Sequence, residues 1–263
     1  QSVISRVMMR KLDPKVLSYV TASRSMRPAS PREVNGYVTE STRIVEAFRG
    51  EHNKQNQSLV LATNHFDTTI DVSWLPIAAQ TYNISADPKD YVLTEVPGVT
   101  VDIPNRNSQA FPYEEISYFD PIIKRVGFNT FAGAMTAFNH DNKDPLKARG
   151  IIFDVALREI PKYGIAKIVT LCGWDRTKDK WLAEGIASGK RNKYSMGALV
   201  CAFICSYCGN IDTDAKQCEC MTRYGKGAIR NGRLIYQLCT GVNYIEMSSV
   251  DDPADVTAEG VRV

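Results

Sequence analysis

From Asp90 onward the chain alternates short apolar runs with Gly, Pro, Asn and Asp, the rhythm of strands divided by turns. The runs YVLTEV, GVTVDI, FAGAMTAF, GIIFDVAL, IAKIVTL, YSMGALVCAFIC, RLIYQL and VNYIEMSSV each predict a strand. Two stretches follow a helical period instead. Residues 30–49 open on Ser30, Pro31 and Glu33, a capping box with proline in the first turn, and set Val34, Val38, Val45 and Phe48 near one face. Residues 176–190 bring Trp181, Leu182 and Ile186 together and end at Gly189, suited to a left-handed cap. The pattern predicts an α+β fold, a mixed β-barrel or curled sheet with surrounding helices. The polar run GEHNKQNQS suggests a division into an N-terminal helical appendage, residues 1–58, and a main domain, residues 59–263.

Composition narrows the picture only a little. With 263 residues, 44% of them hydrophobic, the chain can bury a sizeable core without covalent staples. A formal charge of +3 calls for no acidic partner. No run approaches the roughly 20 apolar residues that a membrane span requires, so the expectation is a soluble, non-secreted protein without a membrane partner. All seven cysteines lie in the C-terminal half, an odd number in a tight cluster, which favours metal and a reducing compartment over disulfides.

Two residue types suggest chemistry. A serine hydroxyl becomes a nucleophile only when a base takes its proton, and the chain holds three histidines. His52 lies in a polar loop, and His65 follows an apolar run as structural histidines do. His140 sits where an apolar strand turns into a polar loop, on a scaffold yet near solvent. Ser195, in KYSMG, lacks the G-x-S-x-G elbow of α/β-hydrolases, and serine beside glycine is ordinarily a turn residue.

The segments IPNRNSQAFPYEEI, NHDNKDPLKARGIIFDVAL, LCGWDRTKDKWLAEGIASGKRNKYSMGA and YIEMSSVDDPADVTA, in this order, resemble the head-maturation (prohead) proteases of tailed bacteriophages, relatives of the herpesvirus assemblins. The resemblance spans roughly residues 91–258. It implies an assemblin-like serine endopeptidase that cuts scaffold and capsid proteins, in the host cytoplasm, inside an assembling prohead and with retention in the virion allowed. It puts the general base on His140 and the nucleophile on Ser195. Relatives differ in the third catalytic group. Asp175, at the end of a predicted strand, is the choice here, with helix capping as its structural alternative and Asp141 and Asp154 still open. Self-association is compatible with this reading.

Cys205, Cys208, Cys218 and Cys220 supply four soft ligands, the number that structural Zn2+ takes, in a small zinc-knuckle insertion at residues 205–220. Some of the phage proteases that the chain resembles carry a comparable insertion with histidine where Cys220 stands. Cys172, Cys201 and Cys239 lie on apolar runs as small hydrophobes. Two other readings stay open. One is a catalytically silent virion component on the same fold. The other is a zinc-ribbon nucleic-acid binder, for which RYGKGAIRNGR is basic but carries no aromatic ladder.

Overall fold

A computed structural model describes residues 18–21, 26–28, 58–60, 69–117, 119–120, 125–160, 164–212 and 217–262. The expected helix at 30–49, and His52 and His65, lie outside the described residues.

The strands, in chain order, are β1 (Ser18–Thr21), β2 (Met26–Pro28), β3 (Ser58–Val60), β4 (Thr69–Asp71), β5 (Tyr91–Thr100), β6 (Gln109–Ala110), β7 (Phe119–Asp120), β8 (Arg125–Val126), β9 (Met135–Phe138) and β10 (Gly150–Ile160). There follow β11 (Ile165–Asp175), β12 (Tyr194–Val200), β13 (Ala202–Cys205), β14 (Ile211–Asp212), β15 (Ile229–Arg230), β16 (Arg233–Leu234), β17 (Gln237–Thr240), β18 (Asn243–Ser249) and β19 (Val261–Arg262). Nine of them form one sheet in the order β19-β5-β11-β10-β9-β18-β12-β1-β2. All neighbours in it are antiparallel except β18 and β9. The sheet curls: β5 touches β12 although four strands separate them in the hydrogen-bonded order. A second sheet runs β14-β13-β17-β6. The expected mixed, curled architecture is therefore present.

Residues on both faces of β11 and β12 are buried, which is why these strands look uniformly apolar in the sequence rather than alternating. In β11, Ile168, Cys172 and Trp174 enter the core inside the curl, where Trp174 Nε1 donates to Thr94 Oγ1 at 2.9 Å. Val169 and Leu171 point outward against helix α1 (Leu75–Tyr82). Sequence reasoning did not find α1; its strongest signals are Pro76 in the first turn and left-handed Asn83 (φ 51°) at its end. A short helix α2 spans Tyr113–Ser117.

Helix α3 covers Lys180–Ala187, shorter than the expected 176–190. Its N-cap is Asp179, whose side chain accepts from Leu182 N at 3.0 Å. Gly189 ends it at φ 72°, as expected. The long run 194–205 is two strands, not one. It breaks at Cys201, where the backbone N–H turns to Thr240 O at 2.9 Å and the chain leaves the large sheet for the second.

Candidate functional site

Three adjacent strands assemble the site. Along β12, Tyr194, Met196, Ala198 and Val200 join the core, so alternation turns Ser195 and Gly197 to the opposite face. Cross-strand pairing sets Ser195 beside Ser248 and Gly197 beside Glu246 on β18, with a bulge just beyond. Paired residues share a face, so these four lie together. On the far side of β18, the parallel strand β9 ends opposite Ser249, and Asn139 N donates to Ser249 O at 3.0 Å. The next residue is His140.

Asn139 and His140 both occupy the left-handed region, at φ 47° and 58°, a conformation that β-carbons disfavour. Successive non-glycine residues there require the surroundings to hold them. Ser248 Oγ accepts from His140 N at 3.1 Å and itself donates to Glu246 Oε2. The imidazole Nδ1 stands 2.5 Å from Glu246 Oε1, and Asn142 Nδ2 donates to the same oxygen at 3.1 Å.

Glu246 is fully buried, and an unpartnered carboxylate there would cost several kcal/mol. It accepts from His140, Asn142 and Ser248 instead. Because its oxygens act as acceptors, the shared proton belongs on His140 Nδ1, which leaves Nε2 with a lone pair. His140 Nε2 and Ser195 Oγ are both buried, and neither has a hydrogen-bond partner among the described residues. Glycine at position 197 is a requirement of this packing: a Cβ there would lie 2.6 Å from Glu246 Oε1.

Asp175 stands elsewhere. It is fully buried at the end of β11, where Oδ1 accepts from Thr177 N and Thr177 Oγ1 at 2.7 Å and from Lys178 N at 3.2 Å. Its Oδ2 accepts from Ser85 N at 2.7 Å. These bonds tie the turn before α3 to the loop after α1. Asp141 pairs with Lys147 at 3.0 Å on the surface, and Asp154 accepts from its neighbour Val155 N at 2.8 Å. The carboxylate brought to His140 is Glu246, which the sequence reading passed over together with Asn142 and Ser248. A signal was present: a lone charge inside the apolar run VNYIEMSSV is a candidate buried group in want of partners.

No family model matches the chain, and no curated protein matches it. Among solved structures it is similar to the bacteriophage T4 capsid assembly protease. The likeness has a TM-score of 0.39 and 17% identity over 62% of this chain and 84% of that one. A likeness of this degree assigns neither fold nor activity.

The second candidate centre lies beyond the break at Cys201. The sulfurs of Cys205, Cys208, Cys218 and Cys220 all fall within 4.8 Å of one another. Tetrahedral thiolate ligation at about 2.3 Å spaces sulfurs by roughly 3.8 Å, so the four could close on one metal ion with small rotamer shifts. Left-handed Gly209 (φ 71°), directly after Cys208, closes the turn that holds the first pair by donating to Cys205 O at 2.9 Å. Buried Asp212 accepts from Cys218 N at 2.7 Å and, while Cys218 is a thiol, from its Sγ at 3.3 Å, a bond that gives way when the sulfur ionises to take a metal. Burial works against a thiolate at Cys208, but hydrogen bonds from Asn210 N–H and the other three thiols outweigh it and lower its pKa. The chemistry of the donor set fits a soft or borderline metal.

Proposed function

We propose that the chain is a serine endopeptidase of the prohead type, with Ser195 as nucleophile, His140 as general base and Glu246, in the role first assigned to Asp175, as the group that orients the base. The observation that carries this reading is the His140–Glu246 pair. It fixes the tautomer that leaves Nε2 able to take a proton, on a strand end next to the strand neighbouring Ser195. As Ser195 Oγ bonds to the scissile carbonyl carbon, its proton passes to His140 Nε2. The same proton then goes to the departing amine as the C–N bond breaks, and water repeats the sequence to release the acid.

The described conformation is closed. Ser195 is 2% exposed, and the cavity beside it, lined in part by Gly98, Thr100, Phe111 and Asp255, measures only about 10 Å3. That is no more than one water requires. A cleft of about 390 Å3 lined by Trp181, Arg191, Lys193 and Asp251 adjoins the start of β12 and offers the room that the serine itself lacks. Activation therefore involves movement of the chain around Ser195, which suits a protease held silent until a shell assembles. The substrates proposed are phage scaffold and capsid proteins, within the prohead.

The four cysteines are proposed to hold structural Zn2+. With all tetrahedral positions taken by protein, the ion would cross-link β13 to the segment before β15 and take no part in peptide cleavage.

Coexpression with scaffold and capsid proteins tests the proposal. Wild type should yield cleaved products, and Ser195→Ala and His140→Ala should yield none while remaining folded. Cleavage that persists in either variant rejects the assignment. Cleavage absent from wild type in assembled shells would favour the silent structural component.

A further inference from the structure

We propose that Ser248 is a positioning residue of the candidate site, a single hydroxyl that fixes both the backbone that carries the His140 ring and the carboxylate that the ring meets. The inference rests on the reading of His140 and Glu246 as base and orienting group. The path of β9 makes such a clasp necessary. In the parallel pair β9–β18, Ala137 lies opposite Ser248 and Phe138 opposite Ser249. Continued as a strand, β9 would carry His140 roughly 10 Å along the sheet beyond Ser248. Left-handed Asn139 and His140 turn it back instead, and Ser248 Oγ accepts from His140 N at 3.1 Å. Two adjacent β-carbons disfavour that conformation, and this N–H has no other acceptor among the described residues.

The proton of the hydroxyl is committed too. Ser248 donates it to Glu246 Oε2, while His140 Nδ1 and Asn142 Nδ2 share Oε1 at 2.5 and 3.1 Å. Without Ser248 the carboxylate would be gripped through one oxygen and could turn about its Cγ–Cδ bond. Ser248 and Glu246 are fully buried and the His140 ring is 7% exposed, so water is not at hand to replace a lost bond.

These bonds set Ser248 apart from the nucleophile, although the two serines are strand partners on one face. Its proton is already given to a carboxylate, whereas Ser195 Oγ has no partner among the described residues. Nor is a bonded hydroxyl the rule on β18. Ser249 Oγ, one residue on, is buried without a hydrogen-bond partner among the described residues, which makes it the matched control.

Two readouts on the full chain test the proposal, one of them indifferent to peptidase activity. The chain has three histidines, so selective 15N-histidine labelling gives few imidazole signals, and His140→Gln identifies those of His140. Wild type should show the Nδ1–H tautomer, with its Nδ1 proton far downfield. Ser248→Ala should lose that downfield signal and mix the tautomers, and fluorophosphonate labelling of Ser195 should slow about 10^2-fold, as when a reacting group is misplaced by about 1 Å. Ser249→Ala should change neither. Should Ser248→Ala unfold, Asn139→Gly relieves the left-handed turn and supplies the background in which the comparison is repeated. The proposal is overturned by a wild-type imidazole spectrum or wild-type labelling in folded Ser248→Ala, by the same losses in Ser249→Ala, or by a wild type without the Nδ1–H signal. A wild type that shows this signal but neither labels nor cleaves scaffold proteins removes the peptidase reading alone, and the imidazole spectra then decide the role of Ser248.

Discussion

Glu246 Oε1 lies 2.5 Å from His140 Nδ1, across a junction in which two neighbouring strands run parallel. Parallel pairing is what allows the end of β9 to deliver an imidazole to a carboxylate in the interior of β18. The relationship separates two carboxylates with different work. Glu246→Gln should leave the fold intact and lower kcat by about 10^3 to 10^4, as expected when the base loses its tautomer and its counter-charge. Asp175→Asn should instead destabilise the chain by about 1–3 kcal/mol through lost turn bonds, with kcat/KM of the folded fraction little changed. Equal kcat losses in both variants, measured on folded protein, would contradict this division.

Gly197→Ala is the smallest change that should disturb the site. The added methyl would meet the Glu246 carboxylate at 2.6 Å, so either the strand pair or the carboxylate must move. A stability loss of about 1–3 kcal/mol and loss of fluorophosphonate labelling at Ser195 are expected. Wild-type melting and labelling would show that the carboxylate is not fixed where the structure has it.

The cysteine cluster predicts one metal ion per chain, bound through thiolates. Cys208 is the exposed member, so Cys208→Ser removes a ligand without opening a core cavity. Metal content by mass spectrometry should fall to near zero, and the melting temperature should drop as it does when a chelator is added to wild type. Metal-free wild-type protein with an unchanged melt would remove the cluster from the account.

A pH effect follows from Lys167 and Asp255, 3.6 Å apart and nearly buried beside the Ser195 cavity. Burial alone would raise the Asp255 carboxyl, but Lys167 and hydrogen bonds from Thr100 and Thr257 outweigh it and hold its pKa below the ordinary value. A depressed folded pKa means that this stabilisation is present above the unfolded value near 4 and disappears as pH falls through the folded one. Asp255→Asn should cost about 3–5 kcal/mol near neutrality, because Lys167 is left buried without its partner. The stability of that variant should then fall less steeply than that of wild type below about pH 4. Parallel acid limbs in the two denaturation series would remove the pair from the pH response.

Much of the fold was legible because strands and turns are local statements. The segments from Tyr91 to Ser249 showed themselves through apolar runs and their breakers, and Gly189 marked the end of α3. What escaped was relational. Helix α1 carries few charges and is apolar on more than one side, so its period is faint, and Cys201 looks like any other apolar residue although the chain changes sheets there. Asp175 drew attention by standing at a strand end, whereas Glu246 was hidden inside a strand, since a pairing register cannot be read from one chain.

The break at Cys201 has a thermodynamic corollary. Residues 194–200 pair with β18 and β1, whereas residues 202–205 pair within a small separate sheet, so the two halves of one apolar run answer to different backbone partners. Withdrawing a bound ion should speed amide deuteration across residues 202–235 and leave the serine strand protected. On that expectation the thiol end of the molecule would loosen while the serine strand keeps its register.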